Sequence, residues 1–349
     1  MSVQTPAVLE RARVLTTPAL RAAVARLEPS IAKVAAYHLG WLDVDGRPVA
    51  GNGGKAVRPA LAVLSAEAVG ASPEVALPGA VAVELVHNFS LLHDDLMDGD
   101  EERRHRPTSW KVFGPAMAIL TGDALLALAE DVLLETPAPT GPRAARHLTE
   151  ATDRLITGQA EDLSFESRLD VSVHECLTMA GNKTGALLAC SASIGSVLAG
   201  APTEAVEALA GFGYHLGLAF QAVDDLLGIW GQPEVTGKPA WSDLRQRKKS
   251  VPVAHALSSR GRVAERLAGL LGAAGPTEAR VAEGGPRLSD EDLALAAKLV
   301  QEAGGRDWTM AEAERQLGLA LQRLDSVAAP ARAREELVGL ARFVTTREL

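Results

Sequence analysis

Apolar residues recur at spacings of three and four along nearly the whole chain, and nowhere do they alternate long enough to make a strand. That period restricts the fold to packed helices. It predicts helices over 20–41, 59–69, 75–97, 115–134, 143–163, 173–198, 203–227, 251–258, 289–303 and 309–327. Breakers separate them at Gly51, Asn52, Gly53 and Gly54, at 137–142 and at 231–239. Residues 272–286, rich in Gly, Ala and Pro, read as a surface loop, and residues 1–17 as a flexible N-terminal tail. The expectation is one all-α domain over 1–349, a bundle of unusually long helices. With 47% apolar residues but only 4% aromatics, its core must be built from Ala, Leu and Val.

Charge and cysteine content remove several function classes. A net charge of −9 argues against nucleic-acid binding through a general positive field. Two cysteines, Cys176 and Cys190, supply neither a disulfide framework nor a CxxC site and read as reduced core thiols. The N-terminus has no apolar h-region. The nearest approach to a membrane span, 185–201, is short and broken by serines and glycines, so it reads as a buried helix. A cytoplasmic, reducing setting follows, in which the triplets at Asn88 and Asn182 are accidental as glycosylation signals.

Acids stand where such a core should not carry them. The predicted helix 75–97 runs into Asp94, Asp95 and Asp98, and the helix 203–227 carries Asp224 and Asp225 near its end. An unpaired carboxylate in low dielectric is costly, and a helix C-terminus already bears partial negative charge. Something positive must compensate. Asp94 and Asp98 are about 40° apart around a helix and so point the same way. Two carboxylates so placed suit magnesium, which accepts one or two of them and completes its shell with water and phosphate oxygens. The lack of thiolate and clustered His ligands argues against zinc. Leu96 and His105, at positions that need ligands, exclude an EF-hand. A single motif of this kind also fits a solvated helix end; two of them fit it less well.

Basic residues appear where an anion would need them. Arg103, Arg104 and Arg106 follow the first acidic motif. Lys55 and Arg58 flank a glycine-rich turn opening a helix, a setting suited to phosphate. Lys183-Thr184, Lys238 and Lys248-Lys249 stand in short polar stretches. Each alone reads equally as a surface charge. Together with the acids they describe a metal-bound diphosphate beside a second anion held by Lys and Arg.

These residues resemble the trans-isoprenyl diphosphate synthases, the polyprenyl synthetase family, over about 53–257. Gly53-Gly54-Lys55-Ala56-Val57-Arg58-Pro59 is similar to the isopentenyl-binding turn of the family. Asp94-Asp95-Leu96-Met97-Asp98, with the arginines after it, is similar to its first aspartate-rich motif. Phe220-Gln221-Ala222-Val223-Asp224-Asp225, followed by Thr236-Gly237-Lys238-Pro239, is similar to the second. The resemblance implies an isoprenoid synthase bundle around a deep central cavity, working as a homodimer. It implies a prenyltransferase joining isopentenyl diphosphate to dimethylallyl, geranyl or farnesyl diphosphate. Magnesium, three ions per site, would be held by Asp94 and Asp98 from one side and Asp224 from the other, with Asp95 and Asp225 as ligands or neighbours of ligands. Arg103, Lys183 and Lys238 would contact the allylic diphosphate, Thr184 and Gln221 would steady the reacting end, and Lys248 would close over it. Lys55, Arg58, His87 and Arg104 would hold isopentenyl diphosphate. The chain departs from the pattern at Gly228, where many members have a third Asp, at Ala56 for Arg, and at His105 for Gly.

Product length is a packing question. Ser90 lies one turn, about 6 Å, before Asp94 on the same face. Its small size leaves room beneath the reacting carbon. Phe89 could form the floor, or simply fill the core, and Val86 continues the face. By resemblance this pattern implies a geranylgeranyl producer, with farnesyl as the second reading. A class I terpene cyclase shares the metal-triggered ionisation but would favour an aromatic-rich cavity and would not need Lys55, Arg58 and His87. A non-catalytic subunit of a heteromeric synthase would have lost motif residues, and almost all remain.

Overall fold

The computed structural model describes residues 6–49, 54–232, 240–272 and 288–345. Gly53, Lys238 and residues 273–286 of the expected loop lie outside the described residues. The chain divides into two compact units. One comprises residues 1–152, 187–213 and 321–343, and the other residues 153–186, 214–320 and 344–349.

The first unit opens on α1 (Ala7–Val24), which buries Val8, Leu9 and Ala12. Residues 7–17 are therefore core helix rather than tail. Arg11 fixes them by ion pairs to Glu67 and Glu336. The helix expected over 20–41 is broken in two. Glu28 caps α2 (Pro29–His38) by accepting from the Ser30 amide at 2.9 Å, and Pro29 stands in the first turn. There follow α3 (Val57–Ala68), a 3-10 turn (Pro73–Ala76) and α4 (Leu77–Met97). A two-residue hairpin of β1 (Glu102–Arg103) and β2 (Arg106–Pro107) leads to α5 (Ser109–Phe113) and α6 (Pro115–Leu134). α4 is the central helix of this unit and packs against α3 and α6. Pro73–Met97 is the one described stretch long and apolar enough to cross a membrane, and 72% of its window is buried.

α7 (Thr140–Phe165) precedes α8 (Val173–Ala180), whose start is fixed by a capping box between Ser172 and Glu175. The single helix expected over 173–198 is interrupted. A π-helical turn (Gly181–Gly185) separates α8 from α9 (Ala186–Ser191), and α10 (Ile194–Leu198) follows a second break. Then come α11 (Thr203–Trp230), α12 (Ser242–Gln246), α13 (Val251–Ser258) and α14 (Arg262–Gly272). α15 (Asp290–Glu302), α16 (Gly305–Asp325) and α17 (Ala331–Thr345) complete the order. Both cysteines are buried and unpaired, and burial raises both thiols out of the reactive range.

Candidate active site

In the first unit the end of α4 carries the first acidic motif. Asp95 is 1% exposed and accepts at Oδ1 from Arg103 Nε at 2.6 Å. Burial pushes its carboxyl up to about 6, against the pull of Arg103. Its Oδ2 is buried with no hydrogen-bond partner. Asp94 and Asp98, one turn apart, are half-buried. The hairpin returns Arg103 to Asp95 through a two-residue turn, with Arg104 at φ 53° and His105 at φ 60°. That double left-handed turn is where the family pattern has Gly, and here His105 adopts it.

The same hairpin delivers Arg104 to the glycine turn before α3. Gly54 has φ +95°, and a Cβ there would lie 2.9 Å from Arg104 Nη2. Lys55 follows directly, and Arg58 stands in the first turn of α3. A cation at a helix N-terminus opposes the macrodipole unless an anion joins it. Burial and the Arg58 charge hold the His87 imidazole well below its usual range. Glu84 is buried one turn before His87, and burial raises its carboxyl against the pull of Arg58. Lys55 Nζ stands 5.6 Å from the centroid of the Phe343 ring. With His87, which lies two turns before Asp94 on α4, Arg58 and Arg104 form one basic cluster. Arg106 does not join it. Its guanidinium donates to the carbonyls of Tyr37 (3.3 Å) and Leu42 (2.7 Å) and stacks on the Tyr37 ring.

Val86, Phe89 and Ser90 are all buried on α4. The Ser90 hydroxyl donates to the His87 carbonyl at 2.9 Å, so it presents little polarity of its own.

In the second unit the π-helical turn carries Lys183 and Thr184. Lys183 Nζ donates to Asp162 on α7 at 2.6 Å. Thr184 donates to Gln221 Oε1 at 2.7 Å, and Gln221 Nε2 donates to Asp225 Oδ1 at 2.8 Å. Asp225 Oδ2 accepts from the Val251 amide at 2.8 Å, anchoring the start of α13. Both Asp225 oxygens are thereby engaged, and burial with the Asp243 charge raises its carboxyl to about 7. Asp224, its neighbour, is half-buried. Lys248 precedes Lys249, whose ammonium is buried, donates to the Glu166 and Arg247 carbonyls and is lowered by burial to about 8.

The donor set fits a hard divalent cation. Among the described residues no group of three or more His, Cys, Asp or Glu side chains gathers into a complete cage. Carboxylate oxygens offered singly or in pairs, with the Asp95 Oδ2 atom left over, match a cation that takes most of its shell from phosphate and water. Asp162 and Glu84 were missed in the sequence. A buried acid within the apolar α4 was a signal for Glu84; Asp162 had none, because only the fold pairs it with Lys183.

The model of the family described as polyprenyl synthetase matches residues 41–283. A (2E,6E)-farnesyl diphosphate synthase of Mycobacterium tuberculosis is 52% identical, with 100% of this chain and 95% of the relative covered. A geranylgeranyl diphosphate synthase of the same organism is 42% identical, with 98% and 94% covered. The crystal structure of a polyprenyl synthetase from Streptomyces coelicolor superposes with a TM-score of 0.91 at 60% identity, covering 97% of this chain and 99% of that one. That of a geranylgeranyl pyrophosphate synthase from Corynebacterium glutamicum, complexed with isoprenyl diphosphate and magnesium, gives 0.81 at 26% identity, covering 99% and 100%. The chain belongs to the polyprenyl synthetase family and is a trans-prenyl diphosphate synthase with its all-α fold.

Proposed function

We propose that the protein condenses isopentenyl diphosphate head-to-tail with dimethylallyl, geranyl and farnesyl diphosphates, and that its main product is geranylgeranyl diphosphate. The observation that supports this reading is that α4 carries Asp94 and Asp98 at its end and, two turns earlier, His87 beside the Arg58 and Arg104 charges. A synthase needs places for two diphosphates; a cyclase needs one. Magnesium, when bound, neutralises the allylic diphosphate as it leaves. Asp94, Asp98 and Asp224 are the residues that would hold it, three ions being the family expectation. Arg103, Lys183, Lys238 and Lys248 contact the same diphosphate. Asp95 acts by aiming Arg103, and Asp225 by tying Gln221 and Thr184 to the start of α13. The basic cluster orients isopentenyl diphosphate so that its double bond meets the allylic carbon, and positioning with electrostatics supplies the rate.

A bulky, buried Phe89 next to the small, buried Ser90 supports the geranylgeranyl length. Farnesyl is the second reading, favoured by the relative at 52% identity that bears that activity in its name. A homodimer is proposed through α6, where Ile119 and Leu120 are 43% and 52% exposed. A cytoplasmic location is proposed as well. The test is incubation of the pure protein with isopentenyl diphosphate, each allylic primer and magnesium, read by mass spectrometry. A linear prenyl diphosphate supports the proposal. A hydrocarbon would establish a cyclase, and no product a non-catalytic subunit.

A further inference from the structure

His93 is the residue before Asp94 on α4. In the structure its ring is fixed on several sides. Nε2 lies 3.1 Å from the Ile119 carbonyl oxygen of α6 and 3.8 Å from Asp123 Oδ1. The ring meets Phe89 edge-to-face, with centroids 4.9 Å apart and planes at 72°. Behind it stands Gly122: a Cβ there would lie 2.5 Å from His93 Cδ2. Carbon atoms in contact sit at about 3.5–4.0 Å, so any side chain on residue 122 would displace the imidazole. A side chain on a helix has few staggered rotamers open to it, and His93 stands against the one Phe89 adopts.

We infer that His93, seated on Gly122 and bonded to the Ile119 carbonyl, is a positioning residue for Phe89, and through it sets the length at which the growing prenyl chain stops. The inference rests on the reading of Phe89 as the floor of the prenyl pocket. It makes α6 part of the specificity device, since the glycine that seats the imidazole lies there. The geometry works as a stack: α6 supports His93, His93 supports Phe89, and Phe89 meets the chain end.

The experiment compares product lengths by mass spectrometry for Phe89→Ala, His93→Ala, His93→Gln and Gly122→Ala from one allylic primer. The ratio of products does not depend on how much of a variant folds, and total turnover is recorded separately. His93→Ala frees Phe89 to swing aside and is expected to lengthen the main product by an isoprene unit, as Phe89→Ala does. His93→Gln keeps a donor for the Ile119 carbonyl but loses the ring edge, and is expected to shift products the same way. Gly122→Ala drives the imidazole from α6 toward Phe89 and is expected to raise the share of shorter products several-fold. If Phe89→Ala lengthens the product while both His93 variants keep the parental ratio, the inference is overturned and the floor survives. If Phe89→Ala itself changes nothing, the floor reading fails and this inference fails with it.

Discussion

The carboxyl group of Asp243 fills the space that a side chain on Gly228 would need: a Cβ there would stand 2.5 Å from Asp243 Oδ1. Residue 228 follows Asp224 by one turn on the same face of α11. An acid is therefore present beside that face, supplied by α12 instead of α11. Gly228→Asp is expected to force Asp243 out at about 1–3 kcal/mol, the usual cost of overpacking. Adding Asp243→Gly should recover most of that loss. Urea unfolding of the single and double variants checks it, and purely additive losses would show that the two positions do not compete.

Ser90 lies a turn before Asp94 and is buried at 9% exposure. Ser90→Phe is expected to shorten the main product by filling the space under the reacting carbon. Mass analysis of the products decides it, and an unchanged chain length would contradict the packing account of specificity.

The helical architecture was legible because long apolar periods leave few alternatives, and 115–134 and 251–258 match α6 and α13 end to end. Errors came where local chemistry overrides period. Glu28 with Pro29 starts a new helix inside an apolar run, and Gly181–Gly185 widens a helix into a π turn without an apolar gap to mark it. The first residues were misread because α1 owes its place to packing and to Arg11, both invisible in one sequence. In the candidate site, residue types and spacing pointed to Asp94, Asp98, Lys55 and Arg104 as candidates. Pairings across the sequence did not: Lys183 with Asp162, Gly54 against Arg104, and Asp243 against Gly228 are decided by the fold. Arg106 looked like a third phosphate ligand beside Arg103 and Arg104, yet the hairpin register turns it to the carbonyls of Tyr37 and Leu42.

Arg106→Ala is accordingly expected to lower stability by about 2 kcal/mol, the scale of losing charged hydrogen bonds. The KM values for both diphosphates should stay near those of the parent. Thermal unfolding beside steady-state kinetics separates the two, and a large rise in either KM without loss of stability would make Arg106 a substrate ligand.

His38 is held neutral by desolvation and by Arg103, Arg104 and Arg106, which lower it from 6.5 to about 3. Over that window the unfolded chain binds a proton that the folded chain refuses, so stability falls as the pH falls from 6.5 toward 3, by up to about 1.4 kcal/mol per pH unit for one group. His38→Asn is expected to flatten this acid limb. Denaturant unfolding across the window tests it, and equal slopes in parent and variant would refute it.

The central claim of the proposed function is that the carboxylates ending α4 hold cations that let an allylic diphosphate leave. The most direct measurement is turnover of Asp94→Ala at saturating magnesium, with helical content followed by circular dichroism. A fall of about a thousandfold, roughly 4 kcal/mol of barrier, with unchanged helicity is the expected result. Turnover near that of the parent under those conditions would contradict the account.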